Sequence, residues 1–336
     1  MSTTEFIRTA TTFRAAVVRT PGGPDTVEII DVPLAEPGPG EARIRIAAAS
    51  VNPVDLATAA GWFHEQGLIT QPEHTGTGWD FAGTLAAAGP GVGLPVGTRV
   101  AGLVTGVDRD FGTHAGYVIV LAQDLAVVPD DLDLVEVATV PLNGLTAAQI
   151  VDLLGDAPAG GRLLVTGAAG AVGGYVTSLA QDRGWRVTGL ARTSDEQFVR
   201  GLGADFTTVA EPGWDAVADC ATLQEQGLAL VRDGGRFIGV RPGGEPTAER
   251  GISVASVSVQ ADGVRLAELL ARTATGELPA RVQAVVPLDR VTDAYRAAGE
   301  SGVRGRYVLE PRPQPEGLTP NGKRAHNSTD DDFIDR

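Results

Sequence analysis

The chain has 336 residues, 43% apolar and 21% charged, the balance of a globular protein with room for two ordinary domains. Its 42 acidic residues outnumber 27 basic ones, and the resulting charge of −15 repels a nucleic-acid backbone, while the single cysteine, Cys220, excludes an intramolecular disulfide and a thiolate zinc cluster. The opening residues lack the apolar core of a signal peptide and no long apolar run follows, so a cytoplasmic protein with no membrane segment is expected.

From about residue 13 to 133, short β-prone runs alternate with Gly- and Pro-rich turns. Runs at 15–19, 26–32, 42–50, 82–86, 99–104 and 114–120 fit strands, with turns at 37–40 and 89–97. Strands this short and closely spaced predict a barrel-like β region. From about 134 to 261 the period changes. Strands at 163–166, 186–191, 206–209, 216–218 and 236–240 alternate with helical runs at 171–183, 198–202 and 226–232. That alternation predicts an α/β fold, a parallel sheet with covering helices. After a helix at 264–272 come strands at 282–286 and 305–309 around a helix at 291–299, and this part is expected to rejoin the first region. The organisation that follows is an N-terminal extension over 1–13, a β-rich domain from 14–133 and 280–310, and a nucleotide-binding domain over 134–279. Residues 311–336 carry too few apolar side chains to fold alone and are expected to be disordered.

The sharpest motif is Val165-Thr166-Gly167-Ala168-Ala169-Gly170-Ala171-Val172-Gly173, which leaves an apolar strand and enters an apolar-faced helix. Gly170 lets the backbone approach a pyrophosphate, and Gly173 lets the helix pack closely on its strand. The helix N-terminus adds free amides and a partial positive charge. Gly167, Ala169, Gly170, Ala171, Val172 and Gly173 are therefore the candidate cofactor contacts, although Ala168 stands where the usual pattern has its first glycine. The next strand ends Gly189-Leu190-Ala191-Arg192-Thr193-Ser194, with no acidic residue at its tip to hold a ribose diol. Arg192 is suited to a 2′-phosphate, with hydroxyls from Thr193 and Ser194, which points to NADPH. Thr193-Ser194-Asp195-Glu196 also reads as a helix-capping box, and the two roles are compatible.

Several ordered segments resemble the medium-chain dehydrogenase/reductase superfamily, and within it the zinc-free quinone oxidoreductase, zeta-crystallin-like branch. They are Arg14-Ala15-Ala16-Val17, Val51-Asn52-Pro53-Val54-Asp55, Gly78-Trp79-Asp80-Phe81-Ala82-Gly83, Pro141-Leu142-Asn143-Gly144-Leu145-Thr146, Gly201-Leu202-Gly203-Ala204-Asp205 and Val303-Arg304-Gly305-Arg306-Tyr307-Val308-Leu309. The resemblance implies a Rossmann-type domain beside a GroES-like catalytic domain, with Asn52 and Thr146 near the nicotinamide and the acceptor carbonyl. Two departures stand out: Gly116 replaces the family's glutamate, and Ala221-Thr222-Leu223 follows Cys220 where relatives have a glycine close by. Zinc-dependent relatives have a cysteine where Asn52 stands and a Gly-His-Glu segment where Gly78-Trp79-Asp80 stands. His64, His74, His114 and His326 share no paired spacing, so no metal is expected.

Without a Lewis acid, the chemistry suits an acceptor that is already electron-poor: a quinone or an α,β-unsaturated carbonyl compound. Asn52 and Thr146 are the candidate hydrogen-bond donors to the ring or to the developing enolate. Trp62, Phe63 and Trp79 are candidates for an apolar wall, and Trp79 serves equally well as a core aromatic. His64 is a candidate proton donor, although solvent protonation makes it dispensable. Residues 253–260 form a β-prone segment expected at a homodimer interface, the pairing the resemblance implies. A cofactor-binding protein with a structural or regulatory role and little turnover is the alternative.

Overall fold

Local sequence periodicity becomes two distinct kinds of sheet. The computed structural model describes residues 12–311 apart from Ser301 and Val303, so residues 1–11 of the N-terminal extension, the tail beyond 311 and Val303 of the closing segment lie outside the described residues. The β-rich region begins with β1 (Thr12–Val18), β2 (Val27–Pro33) and β3 (Glu41–Ser50), then the short helices α1 (Pro53–Ala60) and α2 (Trp62–Glu65). There follow β4 (Thr75–Gly76), β5 (Asp80–Ala88), β6 (Arg99–Leu103), β7 (Tyr117–Leu121) and β8 (Leu125–Val127). α3 (Leu134–Val137) and α4 (Pro141–Leu154) lead out of this region. Proline at the first position of α1 and of α4 presets the helical backbone where an amide proton would have no partner.

The next region alternates strand and helix: β9 (Arg162–Thr166), α5 (Ala171–Asp182), β10 (Arg186–Leu190), α6 (Glu196–Gly201), β11 (Asp205–Thr207), β12 (Trp214–Asp219), α7 (Glu225–Ala229), β13 (Val231–Gly239), β14 (Ser253–Ser256) and α8 (Gly263–Ala274). Its six strands are all parallel, in the order β11-β10-β9-β12-β13-β14. Order therefore reverses at β9, which creates the crevice where α/β sheets bind ligands. Tyr175, Val176, Leu179 and Ala180 of α5 are buried on the sheet, each large apolar side chain contributing roughly 1.5–3 kcal/mol. The helical run expected at 226–232 is shorter than its periodicity suggests. Val231 already pairs with Trp214 of β12, so sheet pairing overrides local helix preference there.

β15 (Val282–Pro287), α9 (Val291–Ala298) and β16 (Arg306–Glu310) close the described chain. β16 pairs antiparallel with β3, Val308 facing Ser50 and Leu309 facing Ala49, within a seven-stranded sheet that also holds β5, β6, β7, β8 and β15. The largest core cluster spans both regions, joining Ala82, Leu103 and Ala126 to Leu145, Ile150 and Val165. α4 carries most of that contact, with Leu145, Ala147, Ala148, Ile150, Val151 and Leu154 buried. The cleft between the regions is thereby walled at its base.

Candidate active site

The Gly-rich turn forms one wall. Gly167 takes a left-handed φ of 60°, and Gly170 caps α5 with an extended backbone. A Cβ on Gly173 would sit 2.2 Å from the Gly167 carbonyl oxygen, so only glycine lets α5 start this close to the turn. Arg281 lies over the same turn, its Nη1 donating to the carbonyls of Ala169 at 2.7 Å and Gly170 at 3.1 Å, with its guanidinium carbon 4.2 Å from the Phe198 ring centroid. The helix amides and this cation face the space where β9 and α5 meet.

At the tip of β10, Arg192, Thr193 and Ser194 are exposed. Arg192 makes no side-chain hydrogen bond or ion pair among the described residues, and a Cβ on Gly302 would lie 3.2 Å from its Nη1. The capping box expected here does not form. Residues Thr193–Asp195 make a single 3-10 turn with no side-chain cap, and Glu196 pairs instead with Arg200 at 2.8 Å. Asp195, the acidic side chain nearest the tip, is buried and gripped by Arg304, whose Nη2 lies 2.6 Å from Asp195 Oδ2 and whose Nε reaches Oδ1. Its carboxylate is thus already satisfied by a bidentate partner.

The loop after β12 completes this wall. Asp219, fully buried, accepts the Thr166 hydroxyl at 2.6 Å and the Gln224 backbone amide at 2.8 Å, while Ala221 N–H donates to Thr166 Oγ1 at 3.0 Å. Thr222 and Gln224 are held at φ of 55°, a backbone state disfavoured for non-glycine residues. The departure from the glycine-bearing pattern is therefore accommodated by strain, and Asp219 is the residue that holds it. Burial pushes the thiol of the adjacent Cys220 up, which keeps it protonated and inert.

The opposite wall is a buried polar cluster. Asp80 accepts Ser50 N–H at 3.1 Å, the Ser50 hydroxyl at 2.8 Å and Asn52 Nδ2 at 3.2 Å. Burial, only partly offset by these bonds, raises the Asp80 carboxyl to about 7. Asp55 accepts the backbone amides of Asn52 and Gly78, each at 2.8 Å. His114 is fully buried, with Nε2 3.0 Å from the Ser50 carbonyl and Nδ1 2.9 Å from the Tyr295 hydroxyl. A carbonyl only accepts, so Nε2 carries the proton, and burial lowers the pKa of the ring and keeps it neutral.

Asn52 sits within this cluster and differs from its expected role. Both its amide protons are directed to Ser50 and Asp80, leaving Oδ1 to face Asn143 Nδ2 at 3.5 Å. An amide pinned by a buried carboxyl has no proton to offer a substrate. Thr146, one turn beyond Asn143 on α4, makes no side-chain hydrogen bond among the described residues and keeps a usable hydroxyl. Arg306 joins this cluster through Asn143: Nη2 donates to Asn143 Oδ1 at 2.7 Å, and Nε is buried with no partner among the described residues. A cavity of about 120 Å³ lies against it, lined also by Asn52, Pro53, Leu56, Glu300 and Gly305. Trp62 and Phe63 form an edge-to-face pair 4.8 Å apart on α2, whereas Trp79 packs against the large core cluster under Arg109, 5.2 Å away. No hydrogen bond joins His64 to another expected site residue among the described residues. Local pattern could not reveal Arg281, Arg304 or Arg306 as cleft residues, because each acts on residues more than a hundred positions away.

Comparison with known proteins bears on this geometry. The alcohol dehydrogenase GroES-like domain profile matches residues 38–130, and the zinc-binding dehydrogenase profile matches residues 195–309. A solved NAD-dependent alcohol dehydrogenase, 30% identical, superposes with a TM-score of 0.74 over 89% of this chain and 100% of its own. The chain belongs to the medium-chain dehydrogenase/reductase superfamily. Among curated relatives, the pikromycin polyketide synthase component PikAII of Streptomyces venezuelae is 30% identical over 85% of this chain, which spans only 8% of that protein's length. The 2-methylene-furan-3-one reductase of Solanum lycopersicum is 28% identical over 80% of this chain and 71% of its own.

Membership makes a zinc site worth testing against the donors present. Asn52 and Asp80 bind each other, Asp55 is spent on two amides, and His114 Nε2 on a carbonyl. Among the described residues no three His, Cys, Asp or Glu side chains converge. This donor set does not fit zinc. The superfamily's nicotinamide nucleotide does fit: the glycine-only contact at Gly173, the α5 N-terminus and Arg281 over the turn suit a dinucleotide diphosphate.

Proposed function

We propose that the protein reduces an α,β-unsaturated carbonyl compound or a quinone with NADPH, without a metal. The observation that carries this reading is the pairing of a dinucleotide cleft with a wall whose polar groups are satisfied among themselves. Such a wall offers no set of metal ligands, and hydride addition to a conjugated acceptor needs less polarisation of its carbonyl than addition to an isolated ketone. The tomato relative supports the enone, since a methylene conjugated to a ring ketone is that class of acceptor.

When bound, the reduced nicotinamide supplies hydride. The chain's own residues do the rest. The α5 N-terminus, with Gly167, Ala169, Gly170, Ala171, Val172 and Gly173, holds the diphosphate, and Arg281 and Arg306 add positive charge. Arg192, Thr193 and Ser194 take the 2′-phosphate. The grip of Arg304 on Asp195 supports this preference, because no carboxylate is left to favour a free ribose diol. Thr146 donates its hydroxyl to the acceptor oxygen as negative charge develops there. Asn52 acts as a positioning residue between the Asp80 cluster and Asn143. Trp62 and Phe63 wall the acceptor, and solvent rather than His64 protonates the enolate carbon.

Assembly follows from the free edge of the six-stranded sheet. Among the described residues β14 pairs only with β13, and an unpaired edge of alternating small and apolar residues is relieved by a second copy. A homodimer is expected, twice the 34.7 kDa chain mass by light scattering at micromolar concentration, and a monomer mass contradicts it. The function is tested by following NADPH oxidation with a panel of enones and quinones. Turnover of at least one conjugated acceptor and none of simple ketones is expected. Tight NADPH binding with no turnover would instead favour a cofactor-binding protein.

A further inference from the structure

Arg241 follows the carboxyl end of β13, on the ligand side of the parallel sheet. Arg241-Pro242-Gly243-Gly244 forms a turn with Pro at its second position, Gly243 at a φ of 78°, and Gly244 N–H donating to the Arg241 carbonyl at 3.1 Å. A Cβ on Gly244 would lie 3.1–3.2 Å from Arg241 Nε, Cδ and Cγ, so bare backbone packs along the arginine stem. The Gly244 carbonyl is in turn held by the Gln224 side chain. On its other side the Arg241 guanidinium carbon lies 5.3 Å from the Trp62 ring centroid, a cation–π contact that crosses the cleft to α2.

The guanidinium is exposed yet flanked on two sides, and its donors stay unspent. Among the described residues Arg241 makes no side-chain hydrogen bond and no ion pair, in a chain with fifteen more acidic than basic residues. β10, which carries Arg192 at its tip, is three strands away in the sheet. At about 4.8 Å per strand the two tips are roughly 14 Å apart, too far for both arginines to grip one phosphate. Arg241 therefore stands on the side of the cleft away from the adenosine end, beside the aromatic pair of α2.

We propose that Arg241 recognises an anionic group, a carboxylate or a phosphate, carried by the acceptor itself. This rests on the reductase reading and narrows its substrate class to conjugated carbonyl compounds bearing a negative charge. A planar fork laid against an aromatic face donates to such a group bidentately. Without this contact a net acidic protein would repel an anionic substrate.

The test compares a 4-oxo-2-alkenoate, its methyl ester and the matching phosphonate as acceptors. The free acid or the phosphonate should show a KM at least tenfold below that of the ester, and whichever anion does so identifies the group. In Arg241→Gln the ester-to-anion KM ratio should fall toward one, and in Arg241→Lys much of it should remain. Equal KM values in the parent protein, or a ratio unmoved by Arg241→Gln, overturn the proposal. If no acceptor is reduced, the reductase reading fails on its own, and calorimetric titration of the saturated 4-oxoalkanoate and its phosphonate onto NADP⁺-loaded protein decides this one. Saturable binding of either anion that Arg241→Gln weakens tenfold supports it; binding of neither, or binding unchanged in the variant, overturns it.

Discussion

On the nucleotide side of the cleft, shape comes from backbone. One short segment, 165–173, sets the turn, the helix start and the contact only glycine permits. On the opposite side, shape comes from side chains that meet from far apart: Asn52 with Asp80 across 28 residues, Asn143 with Asn52 across 91, and His114 with Tyr295 across 181. A glycine turn tolerates almost any neighbour but no substitution at its own tight contact. A buried polar cluster tolerates changes in the chain between its members but not an unsatisfied member.

The sharpest way to break the first side is Gly173→Ala. Its new Cβ would lie 2.2 Å from the Gly167 carbonyl, so the turn or α5 must move. NADPH affinity should fall by about a hundredfold or more, with a lower melting temperature, as strain and misplaced amides both contribute. Gly170→Ala places its Cβ 3.0 Å from the same oxygen and should cost much less. Equal effects in isothermal titration of the two variants would show that the contact at Gly173 is not what shapes the turn.

The second side is probed through pH. Asp80 titrates near 7 in the folded protein because it is buried, and at 3.8 when unfolded. Below about pH 4 both states hold the proton and stability is unaffected. Between about pH 4 and 7 only the folded state keeps it, so stability falls as pH rises, by up to about 1.4 kcal/mol per pH unit. Above pH 7 the loss is constant. Asp80→Asn removes this contribution, so its unfolding free energy should decline less between pH 5 and 7 than that of the parent in denaturant titrations. An identical slope in both proteins would place the burden on another group.

The contrast between the walls also explains what the sequence could show. Gly173 and the absence of an acid at the β10 tip were legible because each belongs to one continuous segment. Asn52 was legible as a candidate only through resemblance, and Trp62 only as an aromatic suited to line a pocket. The loss of the Asn52 donors to Asp80 was not, because nothing near Asn52 announces a carboxyl 28 residues on. Asp195 shows the same limit. Its sequence neighbourhood reads as a helix cap, yet Arg304, 109 residues away, takes both of its oxygens. The capping reading failed because Glu196, the partner the box requires, pairs with Arg200 one turn on.

A smaller effect separates the two cofactors. Arg192→Ala should weaken NADPH by roughly 1.5–3 kcal/mol, near the low end because the side chain is exposed, and leave NADH nearly unchanged. Salt should narrow the parent's preference in the same direction. A ratio of dissociation constants that does not move in the variant at fixed ionic strength would assign the discrimination to Thr193, Ser194 or another residue.

The central claim, metal-independent hydride delivery to a conjugated acceptor, is tested most directly by isotope transfer. Protein stripped with chelator and shown by elemental analysis to hold no zinc is mixed with NADPH deuterated at C4 and an enone. The account predicts deuterium on the β-carbon and a solvent proton on the α-carbon, at a rate that added zinc does not raise. Absence of deuterium from the product, or transfer that ceases on chelation and returns with zinc, would contradict it.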